Sequence, residues 1–406
     1  LQNSPWQWSR FAHASNVKVL PSIGGFTLSD NFPGIAADPI KRANFAQACV
    51  DLIQTYNFDG IDIDWEYPGF ADHSGTPQDK ANFTFLLQEV RNAIDTYGAS
   101  VNKAMLLTVA VGAAEVRMED VDWPAVEPLL DIINLMSYDY FGTWDPITNH
   151  NAPLFAPSQG EITFNVSNSV NKLIDYYGVN PNKITAGIPF YGRSAKTNGT
   201  PELHGSSTGQ SDNATFSVDE GTPLYYNILQ NMNVFDAHWD NVAKVPYLTG
   251  KNGLNTFVSY DNEASIEQKA QFIVEKELRG GIIWEITGDY IETSPGSGQI
   301  LGTPLVSKIN DVFCNYIPEN LSVNEELNNE LIVYPNPATS FVTIDGNKYN
   351  GSKLELFDLN GKVLIQELIL GSSQKVELKN IRSGSYVLRI ITPENSENYK
   401  LMIVNN

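Results

Sequence analysis

Residues 59–69 read Asp-Gly-Ile-Asp-Ile-Asp-Trp-Glu-Tyr-Pro-Gly, and within them Asp62, Asp64 and Glu66 recur at every second position. A β-strand has that period, so the three carboxylates share one face while Ile61, Ile63 and Trp65 share the other. Like charges that close cannot all ionise; they share protons and titrate as a coupled set. A solvated acidic edge would not carry Ile, Ile and Trp on its reverse face and stop at Tyr-Pro-Gly. A calcium loop would need loop-spaced Asp, Asn and Gly ligands. The pattern therefore points to proton chemistry. Glu66 stands at the C-terminal end of the run, and Asp64 lies roughly 6.6 Å deeper by backbone rise. A protonated Asp64 can donate a hydrogen bond to Glu66 or toward a substrate. Its neighbours raise the Glu66 pKa, which suits a general acid.

The run fits Asp-x-x-Asp-x-Asp-x-Glu and resembles glycoside hydrolase family 18, the chitinases. Further stretches are similar to that family. Ser22-Ile23-Gly24-Gly25 resembles its Ser-x-Gly-Gly strand, Phe26 stands where many members place a cleft tryptophan, and Thr27 to Asp30 continue the likeness. Met136-Ser137-Tyr138-Asp139 matches Met-x-Tyr-Asp, Tyr191-Gly192-Arg193 matches Tyr-Gly-Arg, and Trp284 matches the tryptophan on the eighth strand. A retaining glycosidase ordinarily sets a second carboxylate about 5–5.5 Å across the sugar as nucleophile; substrate-assisted families are the exception. The acids here lie beneath Glu66, not opposite it. The resemblance implies that the substrate's N-acetyl carbonyl attacks the anomeric carbon. Glu66 would then protonate the leaving oxygen and later activate water, while Asp64 orients the acetamido group and Asp62 lies below. It also implies that Ser22 bonds Asp62, that Tyr138 bonds the acetamido group, and that Met136, Asp139, Tyr191, Arg193, Phe26 and Trp284 line the sugar site. Trp144 would stack on a leaving-side sugar or simply pack. Two alternatives stay open: an endo-β-N-acetylglucosaminidase acting on glycans, and a non-catalytic chitin-binding lectin of the same fold.

The elements that must position these residues alternate. Apolar strands at 17–26, 59–69 (ending in a turn), 105–110, 132–139, 183–193 and 281–285 are separated by helices at 41–56, 81–97 (capped at Gly98), 125–130, 170–177 and 265–278. Carboxylates, Tyr, Arg and Trp gather at the C-terminal strand ends, where a parallel (β/α)8 TIM barrel keeps its active site. Six strands appear where a closed barrel needs eight. Matched to the family they are strands three to eight, so the first two, and any signal peptide, are expected to be missing from a truncated N-terminus. The family's strand-one tyrosine then has no counterpart. The expected domains are a catalytic barrel at 1–313 with a small α+β insertion at about 194–255, an acidic Asn-rich linker at 314–330, and an all-β sandwich at 331–406. The Tyr334-Pro335-Asn336-Pro337 start, the Asp358 to Lys362 turn, Gly384 to Leu388 and the Lys400-Leu401 strand resemble the C-terminal sorting domain of type IX secretion cargo. That resemblance implies handling by a secretion machinery and a secreted or cell-surface bacterial protein.

Composition is compatible. The 406 residues carry a net charge of −21 and 42% hydrophobic content, enough for a large core. Such acidity repels phosphate backbones and anionic membranes, which argues against nucleic acid as partner and leaves neutral chitin or chitooligosaccharides. No apolar run is long enough for a membrane span. Cys49 reads as a small buried hydrophobe, pairing with Cys314 is left open, and the five His show no ligand spacing, so no metal or cofactor is expected.

Overall fold

Ile61, Ile63 and Trp65 are fully buried on one face of a strand, as the period requires. Burying each isoleucine stabilises the fold by roughly 1.5–3 kcal/mol, which offsets the cost of crowding acids on the other face. The computed structural model describes residues 5–315, 332–345, 351–358, 361–371, 373–392 and 396–404. Two compact units make up the chain, Leu1–Tyr316 and Ile317–Asn406.

The first unit is built on β1 (Ser22–Gly24), β2 (Gly60–Asp64), β3 (Leu106–Gly112), β4 (Ile132–Met136) and β5 (Ile184–Pro189). After an excursion of four further strands, β6 (Arg193–Lys196), β7 (Phe235–Asp240), β8 (Val245–Gly250) and β9 (Thr256–Ser259), the chain returns as β10 (Gly280–Trp284). The main sheet has six strands in the order β1-β2-β3-β4-β5-β10, and every pairing is parallel. This is TIM-barrel-like architecture; among the described residues no pairing joins β1 to β10. Trp65 stacks on Phe32 at 5.3 Å and meets Phe83 edge-on at 5.7 Å, locking β2 to its flanking helices. The Pro39–Tyr56 helix starts at Asp38, whose side chain accepts from Ile40 N–H and Lys41 N–H, and stops at Asn57 in the left-handed region.

Several expectations shift. The 17–26 stretch is a strand only at Ser22–Gly24, and residues before it, which show no clear period, form the Pro5–Ala14 helix. Gly98 does not end its helix, which runs Asp79–Val101 and is closed by Asn102. The glycine is used for packing instead, since a Cβ there would meet the Lys103 carbonyl at 2.5 Å. The insertion forms its own antiparallel sheet, β6-β9-β8-β7, and begins at Arg193 itself. Cys314 and Asn315, expected in the linker, close the Pro304–Asn315 helix; the linker's remaining residues, 316–330, lie outside the described residues. Both cysteines are free, Cys49 buried and Cys314 exposed. No helix among the described residues is long and apolar enough to cross a membrane.

The second unit holds two antiparallel sheets. One joins Ile332–Tyr334, Phe341–Asp345 and Ser373–Glu377; the other joins Val363–Leu368, Lys353–Phe357, Gly384–Ile391 and Ser396–Ile403. Alternate residues such as Val342, Ile344, Leu354, Leu356, Leu388 and Ile390 form a common core, the arrangement of a small sandwich. Residues 359–360 of the expected Asp358 to Lys362 turn lie outside the described residues.

Candidate active site

Asp62 sits in a polar row across the parallel sheet, because in-register neighbours point the same way. Its register partners are Ser22 on β1 and Thr108 on β3. Ser22 Oγ donates to Asp62 Oδ2 at 2.7 Å, Thr108 Oγ1 donates to Oδ1, and Asn134 Nδ2 donates to Oδ1 at 3.2 Å. Asn134 is itself held by Thr185 Oγ1 at 2.8 Å. Asp59, at the opposite end of β2, is tied to Lys103 and His13, each at 2.8 Å, and to the Val19 N–H. Burial would raise its pKa, but those partners outweigh it and hold the carboxyl below its usual range. It anchors the N-terminal end of the strand.

Asp64 is different. Its Oδ1 is buried and has no hydrogen-bond partner. Burial, then the charges of Glu66 and Asp62, push its pKa up to about 7, so the carboxyl holds a proton near neutrality. The chain crosses closely above it. Gly24 has φ +123°, and a Cβ there would lie 2.0 Å from the Asp64 carbonyl, so only glycine fits. Gly25 N–H donates to that carbonyl at 2.7 Å.

Glu66 follows the end of β2. Its pKa is raised, first by burial and also by the charge of Asp139, against a hydrogen bond from the Tyr67 hydroxyl that lowers it. Its main chain is gripped from both sides. Its N–H donates to Ser29 Oγ at 2.9 Å, and its carbonyl lies 2.8 Å from His73 Nδ1.

Past the end of β4, Tyr138 is pushed up by burial and by the charges of Asp139, Glu66, Asp64 and Asp62, so its hydroxyl stays protonated beside the acids. Asp139, at φ +58°, accepts from Tyr191 Oη at 2.8 Å and from Arg193 Nε at 2.8 Å. Its own N–H donates to Asn151 Oδ1 at 2.9 Å. Met136 is buried at the strand end. Asp139 is therefore held in an ion pair with Arg193 and bonded to Tyr191.

Three of the rings expected at the sugar site are more than half exposed: Phe26 at 55%, Trp144 at 58% and Trp284 at 57%. Arg193 lies over Trp144 at 5.2 Å, so that ring already serves as a platform for the guanidinium. Thr108, Thr185, Asn151, Ser29, Tyr67 and His73 escaped sequence reading. The first two look like ordinary β-branched strand residues, and Tyr67 followed Glu66 without being assigned a role. Among the described residues no group of three or more His, Cys, Asp or Glu is placed to hold a metal.

The family model for Glycosyl hydrolases family 18 matches residues 6–289, and that for Secretion system C-terminal sorting domain matches residues 332–405. Chitinase A1 of Niallia circulans is 33% identical over 383 residues, 90% of this chain and 54% of that protein. Chitinase ChiA74 from Bacillus thuringiensis superposes with a TM-score of 0.68 at 27% identity, covering 98% of this chain and 67% of that one. The Ostrinia furnacalis Group IV chitinase in complex with allosamidin gives 0.68 at 34% identity, covering 76% and 83%. The chain spans 48% to 64% of the length of the curated relatives it matches.

Proposed function

The chain belongs to glycosyl hydrolases family 18 and carries a secretion system C-terminal sorting domain, and from that premise we propose that it hydrolyses β-1,4 bonds between N-acetylglucosamine units of chitin with retention. The sorting domain marks a secreted or cell-surface bacterial protein, where an insoluble polymer outside the cell is a reachable substrate.

The observation that carries the reading is the buried, unpartnered oxygen of Asp64 beneath Glu66. A protonated carboxyl there has a hydrogen to give, and no described protein group is bonded to its Oδ1. An acetamido group in the cleft supplies an acceptor. Glu66, whose pKa burial raises, gives its proton to the glycosidic oxygen. The acetamido carbonyl oxygen bonds to the anomeric carbon as the bond to the leaving sugar breaks, giving an oxazolinium ion. Asp64 orients that group and Tyr138 donates to it. Water, deprotonated by Glu66, then opens the ring and restores the acid. Asp139 is committed to Arg193 and Tyr191, which favours the substrate-assisted route over Asp139 as a protein nucleophile.

The test is release of fluorophore from an N,N′-diacetylchitobioside, compared with Glu66→Gln. Loss of turnover by at least about 10²-fold with retained chitooligosaccharide affinity is expected. Binding with no turnover in the parent chain would point to the lectin, and turnover confined to N-glycan cores to the endo-β-N-acetylglucosaminidase.

A further inference from the structure

Glu66 is followed by a short loop that folds back over it. Residues 69–76 close on the buried carboxylate of Asp79, whose Oδ2 accepts from Gly69 N–H at 3.2 Å and from Thr76 N–H at 2.9 Å. Inside the loop the Phe70 carbonyl accepts from His73 N–H at 3.0 Å and from Gly75 N–H at 2.9 Å. Gly75 leaves no room for a side chain, since a Cβ would lie 2.3 Å from Phe70 N. This tight turn fixes where His73 starts. Its ring then packs in a triangle with two others, 4.6 Å from Phe26 and 5.1 Å from Phe70, and Arg117 covers Phe70 at 4.3 Å.

So placed, His73 Nδ1 lies 2.8 Å from the Glu66 carbonyl. A carbonyl only accepts, so Nδ1 must carry the hydrogen. We propose that His73 is a positioning residue for Glu66: its Nδ1–H, opposite Ser29, completes a clamp on the main chain of the acid. This assignment rests on Glu66 being the proton donor, as argued above. A side chain aimed from a backbone whose two flanking peptide units are both held keeps its carboxyl in place during proton transfer, where a misplacement near 1 Å costs about 10²-fold in rate. The clamp also couples Phe26 to the acid, because the ring that bonds Glu66 is the ring that packs on Phe26.

The experiment compares His73→Ala, which removes the donor, with His73→Asn, whose side-chain N–H falls close to the position of Nδ1. In the full chain, His73→Ala is expected to lower kcat on the chitobioside about tenfold, with KM within about twofold. His73→Asn is expected to recover most of the loss. Parent kcat in His73→Ala, or no recovery in His73→Asn, overturns the proposal. If Glu66→Gln abolishes turnover while His73→Ala does not affect it, only the His73 assignment falls. If Glu66→Gln turns over like the parent chain, the acid assignment falls and this one with it. A second reading needs no turnover: nitrogen NMR of the imidazole should show the Nδ1–H tautomer, and an Nε2–H tautomer would overturn the clamp.

Discussion

Arg193 holds Asp139 by both carboxylate oxygens, Nε at 2.8 Å from Oδ1 and Nη2 at 2.7 Å from Oδ2. A planar fork makes that geometry, and a lysine ammonium cannot. Asp139 is also a charge that raises the Glu66 pKa. Arg193→Lys should therefore loosen Asp139 and misplace Tyr191, lowering kcat/KM about tenfold or more. Initial rates on a chitooligosaccharide series check this, and unchanged rates would show that charge alone suffices.

Asp64 gives a prediction in pH. Its pKa rises from 3.8 to about 7 on folding, so the folded state binds the proton more tightly. The stability it confers is fully present below about 3.8 and is lost as pH rises through about 7. Asp64→Asn cannot titrate. Its thermal midpoint should gain on that of the parent chain as pH goes from about 4 to about 8, while turnover drops by about 10²-fold at every pH. A stability difference flat across that range would refute the raised pKa.

Trp284 exposes more than half of its surface at the end of β10, the strand that pairs with β5, with β3, β4 and β5 between it and β2 in the sheet. If its face floors the cleavage site, Trp284→Ala should raise KM about tenfold, near 1.4 kcal/mol, with a smaller effect of Trp284→Phe. Isothermal titration of the Glu66→Gln chain with chitooligosaccharide separates the binding loss from catalysis.

Much of the candidate site is written in local periodicity. Asp62, Asp64 and Glu66 share a face because a strand repeats every second residue, and Met136 to Asp139 lie at the end of a plainly apolar run. What stayed hidden acts through the main chain or through ordinary residue types. Ser29 and His73 meet Glu66 through its main-chain groups, a contact that any polar residue on a suitable loop could make. Thr108 and Thr185 are the β-branched residues any strand favours, and only the register shows that they face Asp62 and Asn134. The Pro5–Ala14 helix was missed for a related reason: Trp8 and Phe11 on it are exposed, so its pattern does not track burial.

The small sheet after β5 also bears on how the chain assembles. Strands β1 to β5 pair in sequence order, each joined by one crossover, but β10 must find β5 across everything between Pro189 and Gly280. The entropy of closing a loop grows with its length. Pairing of Arg193 with Ser259 brings the two ends of the excursion together, leaving the short run from Pro189 to Arg193 and one helical crossover, through Glu263–Glu275, to be closed. The excursion thus acts as a staple on the pairing of β5 with β10, and it is stitched at Arg193, the residue that grips Asp139.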